Sequence, residues 1–532
     1  MLRPARLRRE RSARPLVLLL AAALALPLPA QEFDLVLRGG RLVDGSGAPA
    51  RTGDVALRGD RIAAVGVVTG RGREEIDVAG QVIAPGFIDV HTHSEDITSI
   101  PVAENFLRMG VTTIVTGNCG TSRVDVATFL ESITQARTGV NVATLLGQGS
   151  IRGQVMGGSF LRPPTAEELT RMKDLVDQGM KDGALGLSTG LIYLPGTFTK
   201  TEELIDLARV AARHGGLYVS HMRAETVKIF DALDELIRIA REAGIRAQVS
   251  HLKLSGPAAW GRTDEVLAKL AAARASGLDI GQDQYVYTAS STSIATLVPQ
   301  EAREGGTEAF RQRLADPARK AAIVAEMRRT LENGKRGDYT YAVIASYPRN
   351  PALNGKTIPE AAELLGRTRS LDDQIETVLE ISAGGTASGI FHGMHEGDLR
   401  RFLVQPETMF ASDAGPRRLG QAVPHPRGYG NNARVLGRYV RELGLIPLEE
   451  AVRRMTQLPA RAFNLRDRGE LRPGAVADLV VFDPAKVSDP STFSDPHHYA
   501  VGFSEVLVNG TPVIRAGTLT AARPGRPVRR GE

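Results

Sequence analysis

The 532-residue chain has a single cysteine, Cys119, so no disulfide can staple it to itself. A lone thiol leaves two readings, an inert buried apolar side chain or a thiolate that does chemistry. A sustained charge of one sign is also missing. The formal net charge is +6, but residues 1–30 carry six arginines against Glu10, a net +5. That leaves +1 for the rest, which excludes a nucleic-acid partner recognised through bulk charge. The apolar run at residues 16–26 is too short to span a bilayer, so no stable membrane anchor is expected. No internal repeat or low-complexity tract stands out beyond residue 30.

What is present starts with the leader. An arginine-rich start, the apolar run and then Pro27, Leu28, Pro29 and Ala30 read as a signal peptide over residues 1–30. The expectation is an exported protein, periplasmic or secreted. No cysteine follows to carry a lipid. From residue 31 to 83 short alternating strands separated by glycine turns predict a β-domain. Similar strands return in 468–532, so a small β-sandwich built from both chain ends is expected. Residues 84–467 alternate short apolar runs with helix-period segments, the pattern of βα units. Candidate strands at 82–90, 112–116, 142–146, 184–187, 217–220, 246–250, 278–282 and 408–411 number eight. An α/β fold follows: a TIM-type (β/α)8 barrel. The stretch of about 290–380 is too long for one βα connection and is expected as a helical insertion after the seventh strand.

The polar residues follow these strands. His91 and His93 come after Ile88-Asp89-Val90 at a spacing of two, which in extended backbone points both imidazoles to one side. Cys119, His221, His251 and Asp413 each follow another strand. All lie at the C-terminal ends, the face on which barrel enzymes build their sites. Singly, each has an ordinary explanation, and Asp413 alone could cap a helix. Together they form a metal site. Imidazole, thiolate and carboxylate suit zinc, which lowers the pKa of water and polarises a carbonyl. Asp413 is the candidate general base and acid if it reaches that water.

The segment Ala84-Pro-Gly-Phe-Ile-Asp-Val-His-Thr-His resembles the first-strand motif of the amidohydrolase superfamily. Further stretches are similar to the N-acyl-D-amino-acid deacylases, or D-aminoacylases. They include Thr116-Gly-Asn-Cys-Gly, Gly186-Leu-Ser-Thr-Gly-Leu-Ile-Tyr, Ser220-His-Met-Arg, Ser250-His-Leu-Lys, Asp283-Gln-Tyr-Val-Tyr, Ser412-Asp-Ala and His425-Pro-Arg. The resemblance covers nearly the whole chain after the leader. It implies that Cys119, His221 and His251 hold one tight Zn2+, while His91 and His93 belong to a second, weaker position. It also implies Asp413 as catalytic residue and substrate-binding roles for Tyr193, Lys253, Tyr285 and Arg427. The substrate implied is a small molecule, an N-acyl-D-amino acid cleaved at its amide bond. A D-dipeptidase or a hydantoinase-like cyclic-amide hydrolase is the alternative, and a non-catalytic scaffold a remote one. The sequence departs from the family at Gln148, where histidine is common, and at Val286, where proline is usual. The loop after Ser412 also differs, and its Arg417 and Arg418 are candidate readers of a substrate side-chain carboxylate.

Overall fold

A computed structural model describes residues 1–2 and 32–532; the expected signal peptide lies outside the described residues. Eight parallel strands close into a barrel. They are Phe87–Asp89, Val111–Thr116, Asn141–Thr144 continued by Leu146–Gly147, Gly186–Gly190, Leu217–His221, Arg246–Val249, Ile280–Gln284 and Thr408–Phe410. The eighth strand returns to the first where the Asp413 amide donates to the His91 carbonyl at 2.9 Å. Thr92 and Ala414 add a bridge there. These strands are buried almost throughout, as expected of parallel strands covered by helices.

The outer helices show why the sequence folds this way. Ala166–Lys181 begins with a capping box, in which the Thr165 side chain and Glu168 satisfy each other's backbone amides. Its Met172, Val176 and Met180 recur every four residues and bury one stripe. Ile229–Ala243 does the same with Leu233, Leu236, Ile237 and Ala240, and stops at Gly244 in left-handed backbone.

One expected strand divides. Residues 82–90 read as continuous, but Val82–Pro85 pairs with Leu479–Phe482 in a flanking sheet, and only Phe87–Asp89 enters the barrel. Gly86 makes the crossing, because a Cβ there would collide with the Thr112 side chain. The flanking sheet has nine strands, five from the start of the described chain and four from its end. It wraps around a core shared by both ends, including Leu37, Leu57, Ile62, Leu479 and Leu507. The final residues run back to the barrel, where the Val528 amide bonds the Val142 carbonyl at 2.8 Å. Val528 itself is buried with Ile88, Val115, Leu185 and Leu217.

The insertion after the seventh barrel strand carries the helices Gly306–Ala315, Pro317–Asn333, Ile358–Leu364 and Leu371–Gly384. It also contains a three-stranded antiparallel sheet of Ser290–Ser293, Ala342–Ser346 and Ser388–Phe391, and so extends past residue 380. Phe310, Met327, Ile344 and Val378 give it a core of its own.

Candidate metal centre and its cavity

The strand ends bring the polar side chains to one point. Cys119 Sγ lies 3.3 Å from His91 Nε2, and 3.8 Å from both His221 Nδ1 and His251 Nε2. Asp413 Oδ1 is 3.0 Å from His93 Nε2 and 3.5 Å from His91 Nε2. Three overlapping groups have their donor atoms within 4.8 Å of one another: His91–Cys119–His251, His91–His93–Asp413 and His221–Glu225–His251. Cys119, His251 and Asp413 all have positive φ, at 52°, 36° and 51°. Such backbone is costly for residues with a Cβ and persists only where the surroundings enforce it, as functional sites do.

Buried carboxylates hold the histidines in place. Asp283 Oδ1 lies 3.2 Å from His91 Nδ1 and accepts the His251 amide at 2.8 Å, while its other oxygen takes Gln248 at 3.0 Å. Asp89 accepts the amides of His91 and Ser412, tying the first strand to the eighth. Glu225, four residues beyond His221, lies 3.0 Å from His251 Nδ1 and 2.5 Å from Lys253 Nζ.

Charge balance shows what this donor set suits. Burial opposes ionisation of Cys119, yet the facing His91, with His221 and His251, holds its pKa well below the ordinary thiol value. Burial likewise opposes the Asp413 charge, but Arg427 and His91 hold that carboxyl well below the usual range. His93, whose partial burial opposes protonation, is raised to about 10 by Asp413 and Cys119. Burial with the positive His251 nearby lowers His221, whose Nε2 is buried without a hydrogen bond. Protons on imidazoles here balance a thiolate and carboxylates, the role a divalent cation fills in zinc sites. The residues fit such an ion.

A cavity of about 350 Å3 opens onto this centre. Tyr193, Lys253, Tyr285 and Asp413 line it beside His221 and His251, and the insertion contributes Leu331, Arg336 and Tyr341. Arg427 reaches Asp413 Oδ2 at 2.8 Å and stacks on the Tyr285 ring, with its Cζ 4.5 Å from the centroid. Tyr285 is fully buried, its hydroxyl has no partner, and burial raises its pKa well above the ordinary value. It therefore stays a neutral donor. Tyr193 OH lies 3.4 Å from His221 Nδ1 and accepts from Thr292 at 3.1 Å.

Apart from Arg417 and Arg418, every site residue expected from the sequence is thus in one neighbourhood. Arg417 and Arg418 are not among the cavity's lining residues. Arg418 is exposed and donates to the Ser99 carbonyl, while Arg417 packs near Tyr429. Gln148 faces Thr199 and Glu203 instead. The sequence reading passed over Asp89, Asp283, Glu225 and Arg336. Asp89 and Asp283 sit at strand ends, the same signal that located the histidines.

A model described as amidohydrolase family matches residues 74–514. A D-aminoacylase from Alcaligenes xylosoxydans xylosoxydans is 36% identical, over 94% of this chain and 98% of its own length. A solved D-aminoacylase structure superposes with a TM-score of 0.80 at 36% identity, covering 94% of this chain and all of that one. The structure of an N-acyl-D-glutamate deacylase from Bordetella bronchiseptica, complexed with zinc and a phosphonate mimic of the tetrahedral intermediate, gives 0.80 at 33% identity, with coverage of 94% and 100%. This chain therefore belongs to the D-aminoacylase branch of the amidohydrolase family and is a metal-dependent amidohydrolase.

Proposed function

We propose that the chain hydrolyses N-acyl-D-amino acids with the help of zinc, releasing a carboxylate and a free D-amino acid. The observation that carries this reading is the placement of Asp413, touching His93 on one side and Arg427 on the other, at the wall of a cavity that also exposes Tyr285 and Lys253. Cys119, His221 and His251 would hold the tight zinc, and His91 and His93 a weaker second metal. When bound, zinc supplies Lewis acidity that polarises the acyl carbonyl and makes water a stronger acid.

The chain's own groups do the rest. Asp413, kept ionised by Arg427 and His91, takes the proton of the attacking water and returns it to the leaving nitrogen. Arg427 has N–H groups beyond the one facing Asp413, and with the Tyr285 hydroxyl it can bind the α-carboxylate. Lys253 adds positive charge on the same wall. The D preference rests on the names of the relatives.

A panel of N-acetyl-D-amino acids, N-acetyl-L-amino acids, dipeptides and hydantoins tests the reading. Turnover of the first group above the others is expected; turnover of hydantoins alone would overturn it. Export is part of the proposal and rests on residues 1–30. The mature protein should be recovered outside the cytoplasm and shortened near Ala30; full-length cytoplasmic protein would contradict this.

A further inference from the structure

Three cationic side chains line the cavity, Arg223, Lys253 and Arg336, and Arg427 stands against Tyr285. All but one are paired. Arg223 bonds Glu235 and the carbonyls of Thr197 and Thr199. Lys253 meets Glu225, and Arg427 meets Asp413. Among the described residues, no carboxylate or hydrogen-bond acceptor meets the Arg336 side chain.

Arg336 follows the insertion helix Pro317–Asn333 and is half-buried. Its Cζ lies over the Tyr341 ring, 3.6 Å from the centroid. Stacking covers the face of a guanidinium and leaves its N–H edges free, the arrangement that reads a carboxylate bidentately. Gly393 lies close against it, where a Cβ would stand 3.2 Å from Nη2 and press on the guanidinium. The same cavity wall carries the apolar side chains Leu297, Leu331 and Phe391 among hydroxyl-bearing ones such as Thr296 and Thr330. A cation held in place on a cavity wall, short of a counter-charge, is set up for a ligand that brings one.

We propose that Arg336, stacked on Tyr341 at the insertion side of the cavity, determines specificity by binding a second carboxylate of the substrate, apart from the α-carboxylate. This rests on the reading of the cavity as an N-acyl-D-amino-acid site. Two parts of such a substrate can carry the group, the amino-acid side chain or the far end of the acyl chain. N-acetyl-D-glutamate represents the first and N-succinyl-D-leucine the second, with N-acetyl-D-leucine as the neutral reference.

The test compares these three with the zinc-loaded enzyme and its Arg336→Met and Arg336→Lys variants. One dianionic substrate is expected to exceed the reference in kcat/KM by about tenfold or more, the scale of a charge-assisted hydrogen-bond pair. Arg336→Met should remove that advantage through KM, while leaving N-acetyl-D-leucine within about twofold, which also shows that the variant folds. Arg336→Lys, which keeps the charge but not the fork, should fall between. The arm that shows the preference identifies which part of the substrate bears the carboxylate. Absence of a preference in both arms, or an equal effect of Arg336→Met on charged and neutral substrates, would overturn the proposal while leaving the deacylase reading intact. Hydrolysis of no N-acyl-D-amino acid at all would overturn both.

Discussion

At the residue scale the centre depends on groups that never touch a metal. Asp283 fixes His91 and the His251 backbone together, so its loss should loosen both imidazoles at once. Asp283→Ala is expected to weaken zinc binding about 10- to 100-fold, the usual cost of removing such a support. Titration against a competing chelator measures it; unchanged affinity would show that the Asp283 contacts are incidental. The candidate metal ligands were legible because each follows a strand, and strand ends can be located from period and apolar runs. Glu225 was not, since it lies in a loop whose path no periodicity describes. Arg336 was hidden for a different reason. It enters the cavity only because the insertion folds back over the barrel, a long-range placement that local pattern does not carry.

At the element scale, the capping box of Ala166–Lys181 offers a clean measurement. Thr165→Ala removes the side chain that accepts the Glu168 amide and should cost about 1 kcal/mol in denaturant unfolding. Its partner Glu168 has its pKa lowered to about 2 by Arg162 and the Thr165 amide. A carboxyl depressed in the folded state stabilises fully above its ordinary value of 4.5 and loses that contribution as pH falls toward about 2. The difference between wild type and Glu168→Gln should therefore be present at neutral pH and shrink in acid. No change with pH would contradict the pairing. Most barrel strands were readable as short apolar runs, but Gly186–Gly190 and Ile280–Gln284 are largely polar or glycine and begin two residues beyond the expected starts, and a further exception falls at Gly86. There two strands of different sheets abut without a turn, and an apolar run alone cannot mark the break. The Ser290–Ser293 strand was also obscure, because four hydroxyl-bearing residues on a sheet edge give no apolar alternation.

At the scale of the whole molecule, both chain ends close the structure. The first and last strands share one sheet, and Val528 fills a cluster with side chains of five barrel strands, among them Ile88, Val115, Ala143, Leu217 and Met409. Deletion of residues 525–532 should destabilise by at least about 2 kcal/mol, from the burial of Val528 alone. A thermal unfolding curve would show the lower midpoint, and an unchanged one would mean the tail packs without stabilising. The two-ended sheet was legible because alternating strands appear at both termini and the barrel pattern only between them.

The central claim is that Asp413 moves the proton in an amide hydrolysis centred on the Cys119, His221 and His251 ligands. Its most direct test is Asp413→Asn, measured for turnover of an N-acyl-D-amino acid and for bound zinc on the same sample. The account expects turnover to fall by about 100- to 10,000-fold, the range of general acid–base catalysis, with the tight zinc retained. Near-normal turnover at full zinc content would contradict it.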